Sequence, residues 1–401
     1  MYAMSNPAAL SAEDAEAFRT RCHEFLKEHA HPGAYRDLGA VKVFQQALAD
    51  AGLAGLTYPA EYGGGGLTQE HEKIWREVAQ QYPNMNAELV ISHGMCLPML
   101  NDFGTHEQKA AYLADNIAGR AVWCQMFSEP GAGSDVAGLQ MRAERDGDTW
   151  VLNGQKVWTT LAHVSDYGIV ICRTDPDVVK HAGISMFIVD LKSPGVEIRS
   201  IHQIDGGRHF NEVFFTDVHI PADNLLGELN NGWNQATAML MYERVAIGSM
   251  GSGSISQPMY TTLLGHARAN GSIDDPVVRD ELMQIYAMET TKSMLALRVR
   301  AELKAGKTPG PGGSLGKLAS SVIAWKFRRV AQAIAGPGSV AWEGDVDAEG
   351  GSLNRMVLNS IQLAIAGGTD EIQRNIIGDR VLGLPRDVAV DRVPFKELLK
   401  N

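Results

Sequence analysis

Apolar residues recur at helical spacing in the first 120 residues and again beyond residue 230, while the region between them alternates as strands do. A Ser-Ala-Glu-Asp sequence at residues 11–14 has the capping pattern of a helix start, and Phe18, Cys22 and Phe25 follow on one stripe. The pattern predicts N-terminal helices that begin at residue 11, cover residues 44–51, 70–81 and 86–103, and run from residue 105 to about residue 119.

The middle region predicts a sheet, and the region after it predicts a second group of helices. The strands of the middle region are expected over residues 121–127, 149–152, 167–173, 184–190, 196–201 and 211–220. No helix of ten residues separates these strands, so we expect an antiparallel β-unit rather than βαβ units. Later helices are expected over residues 233–266, 280–303, 318–335, 353–366 and 371–381, with a Gly/Pro-rich linker at residues 304–316. The chain therefore predicts an α+β fold with a helical domain (1–120), a β-domain (121–229) and a helical bundle domain (230–401).

Composition excludes several classes of protein. The chain is 45% hydrophobic and 21% charged, with a net charge of -11 and no Lys/Arg block, so we expect a globular protein without a nucleic-acid partner. Its four cysteines are widely spaced, which argues against a disulfide framework and a metal site. The N-terminal residues do not match the pattern of a secretory or transit signal, so we expect none, and no apolar run approaches the length of a membrane span. We therefore expect a cytoplasmic protein.

A glycine-rich loop at residues 128–135 reads Ser-Glu-Pro-Gly-Ala-Gly-Ser-Asp and follows an apolar run. Its glycines let backbone N–H groups approach a ligand, and Ser128 and Ser134 add hydroxyl donors. The alternative is a tight turn between strands, because the same residue types dominate turns. The loop does not match the Gly-x-Gly-x-x-Gly pattern of a dinucleotide-binding βαβ unit.

A second run at residues 153–160 reads Asn-Gly-Gln-Lys-Val-Trp-Thr-Thr. Asn153-Gly154 is a strong hairpin signal, and Trp158 is then expected on a strand beside Thr159 and Thr160. Trp158 is either a core residue or a flat surface beside hydroxyls that would suit an isoalloxazine ring.

Two further features carry candidate chemistry. Glu243 and Arg244 interrupt an apolar helix, either as an ion pair or solvated face, or because Glu243 is a base held in an apolar cleft. The glycines at residues 367–368 stop one helix, and Thr369 can cap the next. That helix start could bind a carbonyl, ribose or phosphate oxygen, or be a plain helix–helix turn.

Together these runs resemble the acyl-CoA dehydrogenase family, and the resemblance extends over nearly the whole chain. It rests on the glycine-rich loop, on residues 152–160, 217–221 and 224–227, and on residues 368–377 and 380–385. The resemblance implies an N-terminal helical domain, a central antiparallel β-domain and a C-terminal four-helix bundle. It also implies FAD between the β-domain and the bundle, with part of the site from a neighbouring subunit.

The resemblance assigns contacts to individual positions. Implied FAD contacts in the β-domain are Gln125, Phe127, Ser128, Gly133, Ser134, Trp158 and Thr160, with Thr160 near flavin N5. Implied FAD contacts in the C-terminal region are Arg268, Gln332, Gly336, Thr369 and Glu371, with Gln332 and Gly336 in the segment that reaches a neighbour's FAD. Implied acyl-CoA contacts are Ser134, Tyr242, Arg244 and Gly367.

The chain departs from the family pattern at two places. Many members carry the catalytic Glu in a Tyr-Glu-Gly-Thr phrase, which here reads Ala-Gly-Gly-Thr at residues 366–369. The isovaleryl-CoA and long-chain types place it on a bundle helix in a phrase that resembles Tyr-Glu-Arg at residues 242–244, so we expect Glu243 to be the base. The N–H of Gly367 could still bind the thioester carbonyl. The usual Arg-x-x-Phe-Gly phrase retains only Arg268, which puts FAD occupancy and subunit arrangement in question.

The resemblance implies α,β-dehydrogenation of an acyl-CoA to the trans-2-enoyl-CoA, in which Glu243 removes the pro-R α-proton and an electron-transferring flavoprotein receives the electrons. Gly367, with Gly248 and Gly251, would leave room for a branched or bulky acyl group. We expect a homotetramer or homodimer, with a hetero-oligomer left open. The alternatives are an acyl-CoA oxidase or flavin monooxygenase relative, and a non-catalytic FAD-binding subunit of a hetero-oligomeric acyl-CoA dehydrogenase.

Overall fold

The computed structural model describes residues 10–31, 37–250, 259–304, 312–342, 348–385 and 391–398, with backbone alone for residues 244–250, 300, 303–304 and 348–352. The chain divides into two compact units. The first is formed by the described parts of Met1–His202, Arg208–Ser254 and Val390–Asn401, and the second by those of Gln203–Gly207 and Ile255–Ala389. This is a division by packing, and the three-domain division stays a prediction.

The first unit begins with five helices. They are α1 (Ala12–His29), α2 (Leu38–Asp50), α3 (Gln69–Ala79), α4 (Leu97–Phe103) and α5 (His106–Ile117). The predicted capping at the start of α1 is confirmed, because Ser11 accepts a hydrogen bond from the N–H of Asp14. Thr105 and Gln108 cap α5 reciprocally.

The predicted helix over residues 86–103 is broken into shorter pieces. A 3-10 turn at Ala87–Leu89 and a π-helical turn at Ser92–Cys96 precede α4. The π-helical turn places Ser92 beside the first strand, where its hydroxyl oxygen accepts the N–H of Trp123 at 3.2 Å.

One eight-stranded sheet follows. Its strands are β1 (Trp123–Met126), β2 (Arg142–Asp146), β3 (Thr149–Thr160), β4 (Tyr167–Arg173), β5 (Ile184–Asp190), β6 (Val196–Ser200), β7 (Phe210–Pro221) and β8 (Leu225–Leu226). The order is β6-β7-β3-β2-β4-β5-β8, and β1 pairs with β4. Most pairs are antiparallel as expected, but β1 and β2 each pair with β4 in parallel. The expectation of a purely antiparallel unit was therefore wrong for these two pairings.

Both faces of the central strands are buried, which explains their nearly continuous apolar sequence. Along β4, Ile169 and Ile171 pack into the core shared with the N-terminal helices, while Val170 and Cys172 face a second core within the sheet. This alternation is the period of two expected for a strand between two apolar layers.

The predicted hairpin at Asn153-Gly154 was wrong. Both residues lie inside β3, and the turn between β2 and β3 is at residues 146–149. Gly154 has a φ of 147° and sits so close to Met141 that an added Cβ would lie 2.8 Å from the Met141 Cα. Glycine is needed here for close backbone approach at a register shift rather than for a turn.

The last long helix of the first unit is α6 (Gly232–Met250). It packs against the N-terminal helices, since Ala236 and Met239 belong to their core. Residues 391–398 also belong to this unit, where Pro394 forms a β-bridge with Val179.

The second unit is helical. Its helices are α7 (Met259–Ala269), α8 (Pro276–Lys304), α9 (Gly312–Ala335), α10 (Ala348–Ser360) and α11 (Asp370–Arg380). Its core is formed by apolar side chains from these helices, including Leu263, Ile285, Phe327, Val330 and Leu353. The predicted helix over residues 233–266 corresponds to α6 and α7, and residues 251–258 lie outside the described residues. The predicted α+β class is confirmed.

Among the helices that the structure describes, none has the length and apolar character required to cross a lipid bilayer.

Candidate functional site

The glycine-rich loop begins with a tight turn. Glu129 and Ala132 exchange backbone hydrogen bonds of 2.9 and 3.1 Å across Pro130 and Gly131. The tight-turn alternative therefore describes the first half of the loop. The second half, residues 133–135, is exposed, and an added Cβ on Gly133 would meet no atom within 4 Å. This half leaves room for a ligand next to the backbone.

A buried ion pair connects the loop to β3. Lys156 is 0% exposed, and its Nζ donates to the Glu129 carboxylate at 2.8 Å and to the Phe127 carbonyl at 3.0 Å. The same carboxylate accepts the N–H groups of Gln140 at 2.7 Å and Met141 at 3.0 Å. These hydrogen bonds offset the cost of burying the two charges.

Neither Lys156 nor Glu129 was predicted from the sequence to be a site residue. A signal was present, because Glu129 is the single charged residue within residues 121–134 and Lys156 the single one within residues 149–162. Their partnership depends on the fold, which brings together positions 27 residues apart.

Trp158 is exposed beside this ion pair. Its side chain is 58% exposed and its φ is 59°, in the left-handed region that bulky residues rarely adopt. The β3–β7 ladder shifts register between Lys156 and Thr159, which turns Trp158 out of the sheet. The interpretation of Trp158 as a core residue was therefore wrong. Such backbone strain concentrates at functional sites.

The other predicted β-domain contacts lie on neighbouring backbone. The N–H of Val157 donates to the carbonyl of Ser128 at 2.9 Å, which joins the two runs directly. Phe127 is buried, and Gln125 on β1 is partly exposed. The structure thus places Phe127 and Ser128 next to the strand that carries Trp158.

The two threonines after Trp158 differ in burial. Thr160 is partly exposed at the end of β3, whereas Thr159 is buried. Within the described residues, the Thr159 hydroxyl has no hydrogen-bond partner. Buried hydroxyls are usually satisfied, so this group marks a place where a polar atom from a ligand would be accommodated.

A cleft of about 440 Å³ lies next to the tight turn. It is bordered by the turn, by the start of β2 and by the residues around Gly154. Ser134, Trp158 and Thr160 do not line it, so this cleft is distinct from the predicted contacts.

Tyr242 and Glu243 lie on α6 in the first unit. The Tyr242 hydroxyl donates to the carboxylate of Asp102 in α4, and burial together with this carboxylate raises the pKa of Tyr242 to about 12. Tyr242 therefore anchors α6 to the N-terminal helices. Glu243 is partly buried, while the side chain of Arg244 and the whole of Gly251 lie outside the described residues.

In the second unit, Gly367 and Gly368 both have left-handed backbones, with φ of 67° and 88°. Their carbonyls accept hydrogen bonds from the Gln373 amide at 3.1 and 3.2 Å. Thr369 caps α11 by accepting the N–H of Ile372, which confirms the predicted helix start. Glu371 is exposed and pairs with Arg374 at 3.4 Å.

The remaining predicted contacts lie near the end of α9. Arg268 and Gln332 are exposed, and Gly336 has a φ of 52°. Asn270 donates to the carbonyl of Ile334 at 2.7 Å, so the ends of α7 and α9 are adjacent.

Thr369 and Glu371 lie near the other end of α9. Asp370 between them accepts hydrogen bonds from Lys317 at 3.2 Å and Ser321 at 2.7 Å, in the first turns of that helix. Lys317 and Gln332 are about 22 Å apart along the helix axis, given its rise per residue. The structure therefore does not bring the two groups of C-terminal contacts together within one chain.

Three family models match consecutive parts of the chain. They are the acyl-CoA dehydrogenase N-terminal domain at residues 12–120, the middle domain at residues 124–218 and the C-terminal domain at residues 230–382. The acyl-CoA dehydrogenase IpdE1 of Mycobacterium tuberculosis is 35% identical over 401 residues, covering 94% of this chain and 99% of that protein.

Two solved structures resemble the chain over most of its length. The Tcur3481-Tcur3483 steroid ACAD gives a TM-score of 0.76 at 26% identity, covering 94% of this chain and 99% of the other. The ChsE4-ChsE5 complex of Mycobacterium tuberculosis gives a TM-score of 0.75 at 27% identity, covering 95% and 99%.

Proposed function

Because this chain belongs to the acyl-CoA dehydrogenase family, we propose that it removes hydrogens from Cα and Cβ of an acyl-CoA thioester to form the trans-2-enoyl-CoA. The observation that carries this proposal is the exposed, strained Trp158 beside the glycine-rich loop, with both held by the buried Lys156–Glu129 pair. An exposed indole, backbone N–H groups and hydroxyls on adjacent segments form a surface suited to a flat, polar ring system.

The residues around Trp158 fit FAD. Ser134 and Thr160 are accessible hydroxyl donors, the backbone at Gly133 is open, and the buried Thr159 hydroxyl lacks a partner within the described residues. We assign Gln125, Phe127, Ser128, Gly133, Ser134, Trp158 and Thr160 as the β-domain contacts of FAD. FAD, when bound, supplies the acceptor for the hydride that leaves the β-carbon.

Glu243 is our candidate for the base that removes the α-proton. It is partly buried on α6, directly after a tyrosine that anchors this helix to the N-terminal helices. A carboxylate in such a position keeps a fixed geometry and can be shielded from water by a bound substrate. We assign Tyr242, Arg244 and Ser134 as further acyl-CoA contacts from their motif positions.

Removal of the α-proton moves negative charge onto the thioester oxygen, and a hydrogen-bond donor must stabilise it. We assign this role to the backbone N–H of Gly367. Gln373 donates hydrogen bonds to the carbonyls of Gly367 and Gly368, which restrains the two peptide groups that directly follow this N–H.

The FAD site is proposed to include a second subunit. Arg268, Gln332 and Gly336 lie near one end of α9, whereas Thr369 and Glu371 lie near the other. This separation supports the assignment of the first group to a neighbour's FAD. We propose a homotetramer or homodimer whose electrons pass to an electron-transferring flavoprotein.

We propose a branched or bulky acyl group as the substrate. Gly367 occupies the position where many family members carry the catalytic Glu, so no side chain competes for space there. The similarity to the Tcur3481-Tcur3483 steroid ACAD supports a bulky group of this kind.

A second candidate function is that of an FAD-binding subunit within a hetero-oligomeric acyl-CoA dehydrogenase. The similarity to the ChsE4-ChsE5 complex and the loss of the Phe after Arg268 favour it. Purification of the chain alone, with FAD per chain measured by absorbance, separates the two candidates. Full FAD occupancy and activity without a partner supports the first, and a requirement for a co-expressed partner supports the second.

The catalytic assignment is tested by Glu243→Gln. We expect the variant to retain FAD but to lose anaerobic bleaching of the flavin by acyl-CoA, with a rate loss of about 10³-fold or more. Straight, branched and steroid-type acyl-CoAs should be compared on the wild type to identify the substrate.

The matched control is Glu228→Gln, which changes an exposed carboxylate just before α6. It should bleach like the wild type. Full activity of the Glu243→Gln variant would refute the assignment, and peroxide formation in air by the wild type would favour the oxidase alternative.

A further inference from the structure

The C-terminal segment, residues 391–398, packs against the connection between β4 and β5. It lies beyond residue 382, where the match to the family's C-terminal model ends. The N–H of Phe395 donates to the carbonyl of Val178 at 2.8 Å, and the N–H of Lys396 donates to the carbonyl of Pro176 at 3.0 Å. These backbone bonds add the segment to the edge of this connection, so that it has a defined register.

A buried cation–π contact between Arg173 and Phe395 also holds the segment in place. The guanidinium of Arg173 lies 3.8 Å from the centre of the Phe395 ring, and both side chains are buried. Arg173 also donates to the carbonyls of Lys180 at 2.5 Å and Ala137 at 2.6 Å. One side chain thus contacts the C-terminal segment, the β4–β5 connection and the residues directly after the glycine-rich loop.

Lys180 joins the segment to the glycine-rich loop itself. Its Nζ lies 2.9 Å from both carboxylate oxygens of Asp135 and 2.7 Å from the carboxylate of Asp391. Asp135 is the last residue of the loop, directly after Ser134. Lys180 is buried, so it has little freedom to choose other partners.

The second half of the loop has few other restraints. Residues 133–135 are exposed, and the space around Gly133 is open. Ordering such a loop costs conformational entropy, and a ligand that must order it binds less tightly. A contact that orders the loop in advance therefore favours binding.

We propose that residues 391–398, acting through Lys180, position the glycine-rich loop for FAD. Lys180 and Asp391 are positioning residues, since they act on the loop through Asp135. This inference rests on the proposed function, because it takes the loop to be a flavin-binding element.

The test measures FAD affinity and loop order separately in the full-length chain. Apoprotein is titrated with FAD by following flavin fluorescence, and hydrogen–deuterium exchange is followed in peptides covering residues 128–138. In Asp391→Ala and Lys180→Met we expect faster exchange in these peptides and a Kd for FAD raised roughly tenfold, as expected when a preorganised loop must be ordered by its ligand.

Two further variants serve as controls. Lys180→Arg keeps a cation between the two carboxylates and should restore most of the affinity lost in Lys180→Met. Lys396, on the same segment, forms an exposed ion pair with Asp177 of the β4–β5 connection, and this pair does not include the loop. Lys396→Met should therefore bind FAD like the wild type. A purely structural role would lower thermal stability without a selective change in Kd.

The outcomes distinguish this inference from the proposed function. If the wild type binds FAD and Asp391→Ala binds it equally well, the positioning role is refuted and the proposed function stands. If the wild type binds no FAD under any condition, the proposed function fails and the inference fails with it. If Asp391→Ala does not fold, Lys180→Met with its arginine rescue decides the question.

Discussion

Strain at single residues is concentrated around the proposed flavin contacts. Among the residues that the structure describes, four that are not glycine have left-handed backbones, and two of them are Trp158 and Leu161. They flank Thr159 and Thr160, the hydroxyl residues of the run. Conformations of this kind cost on the order of 1–3 kcal/mol each and persist where surrounding contacts enforce them. Hydrogen bonds from the backbone of Val157 and Leu161 to the rest of the first unit provide that enforcement.

His93 illustrates how the fold alters a single titratable group. It lies in the π-helical turn, and its Nε2 is 2.8 Å from the carbonyl oxygen of Asn116. Burial lowers the pKa of His93 from 6.5 to about 4, although this hydrogen bond acts in the opposite direction. The neutral form is therefore favoured in the folded protein.

This lowered pKa predicts a loss of stability in acid. Between pH 6.5 and about 4, the unfolded chain binds a proton at His93 that the folded chain does not, so the free energy of unfolding falls as the pH falls. We expect His93→Gln to reduce this fall by about 2–3 kcal/mol between pH 7.5 and 4.5, which urea unfolding at the two pH values measures. Equal losses in wild type and variant would show that His93 does not titrate in this way.

Contacts between elements place the glycine-rich loop against β3. Lys156 reaches from β3 to the carbonyl of Phe127 after β1 and to Glu129 in the tight turn, and Val157 binds the carbonyl of Ser128. A single strand therefore positions both runs that were predicted from the sequence to contact one ligand. The ion pair is buried, so both partners must be present together.

Loss of one partner of the Lys156–Glu129 pair should lower the free energy of unfolding. Lys156→Met leaves the buried Glu129 carboxylate without its cation, and we expect a loss of about 3–5 kcal/mol in the free energy of unfolding. Lys192→Met, which removes an exposed ion pair to Asp166, should change it by about 1 kcal/mol or less. Urea unfolding at neutral pH measures both. A cost for Lys156→Met no larger than that for Lys192→Met would contradict a structural role of the buried pair.

Helices and strands were predicted correctly where the apolar pattern or a capping residue was clear. The predictions failed where a local sequence signal was weak or was overridden by packing in the folded protein. The strands β4 and β5 and the helix starts at Ser11 and Thr369 were predicted closely, because period and capping are local properties. β2 was missed, because it is short and mostly exposed and gives little apolar signal. Asn153-Gly154 was misread as a turn, because its close approach to Met141 arises only in the folded sheet.

At the scale of the whole molecule, each unit exposes large apolar side chains. On α8 and α9 these include Met294, Leu297 and Trp325. Exposed apolar side chains of this size on helices favour burial against another chain. The proposed division of FAD contacts between subunits requires such an association.

We therefore expect the purified chain to associate. Light scattering after size-exclusion chromatography should give two or four times 43.4 kDa, with FAD bound. Trp325→Glu and Leu297→Glu should lower the mass and the FAD content together, because a charge is costly to bury in an interface. A monomer that retains full FAD and activity would contradict the shared site.

The sequence by itself determined the fold class and the family. Both depend on patterns that repeat over many residues and on motifs whose order along the chain is visible without coordinates. Only the tertiary structure decided that Trp158 is exposed, that Lys156 pairs with Glu129, and that Lys180 joins Asp391 to the glycine-rich loop. These facts depend on contacts between positions from 27 to more than 200 residues apart, which local sequence patterns do not encode.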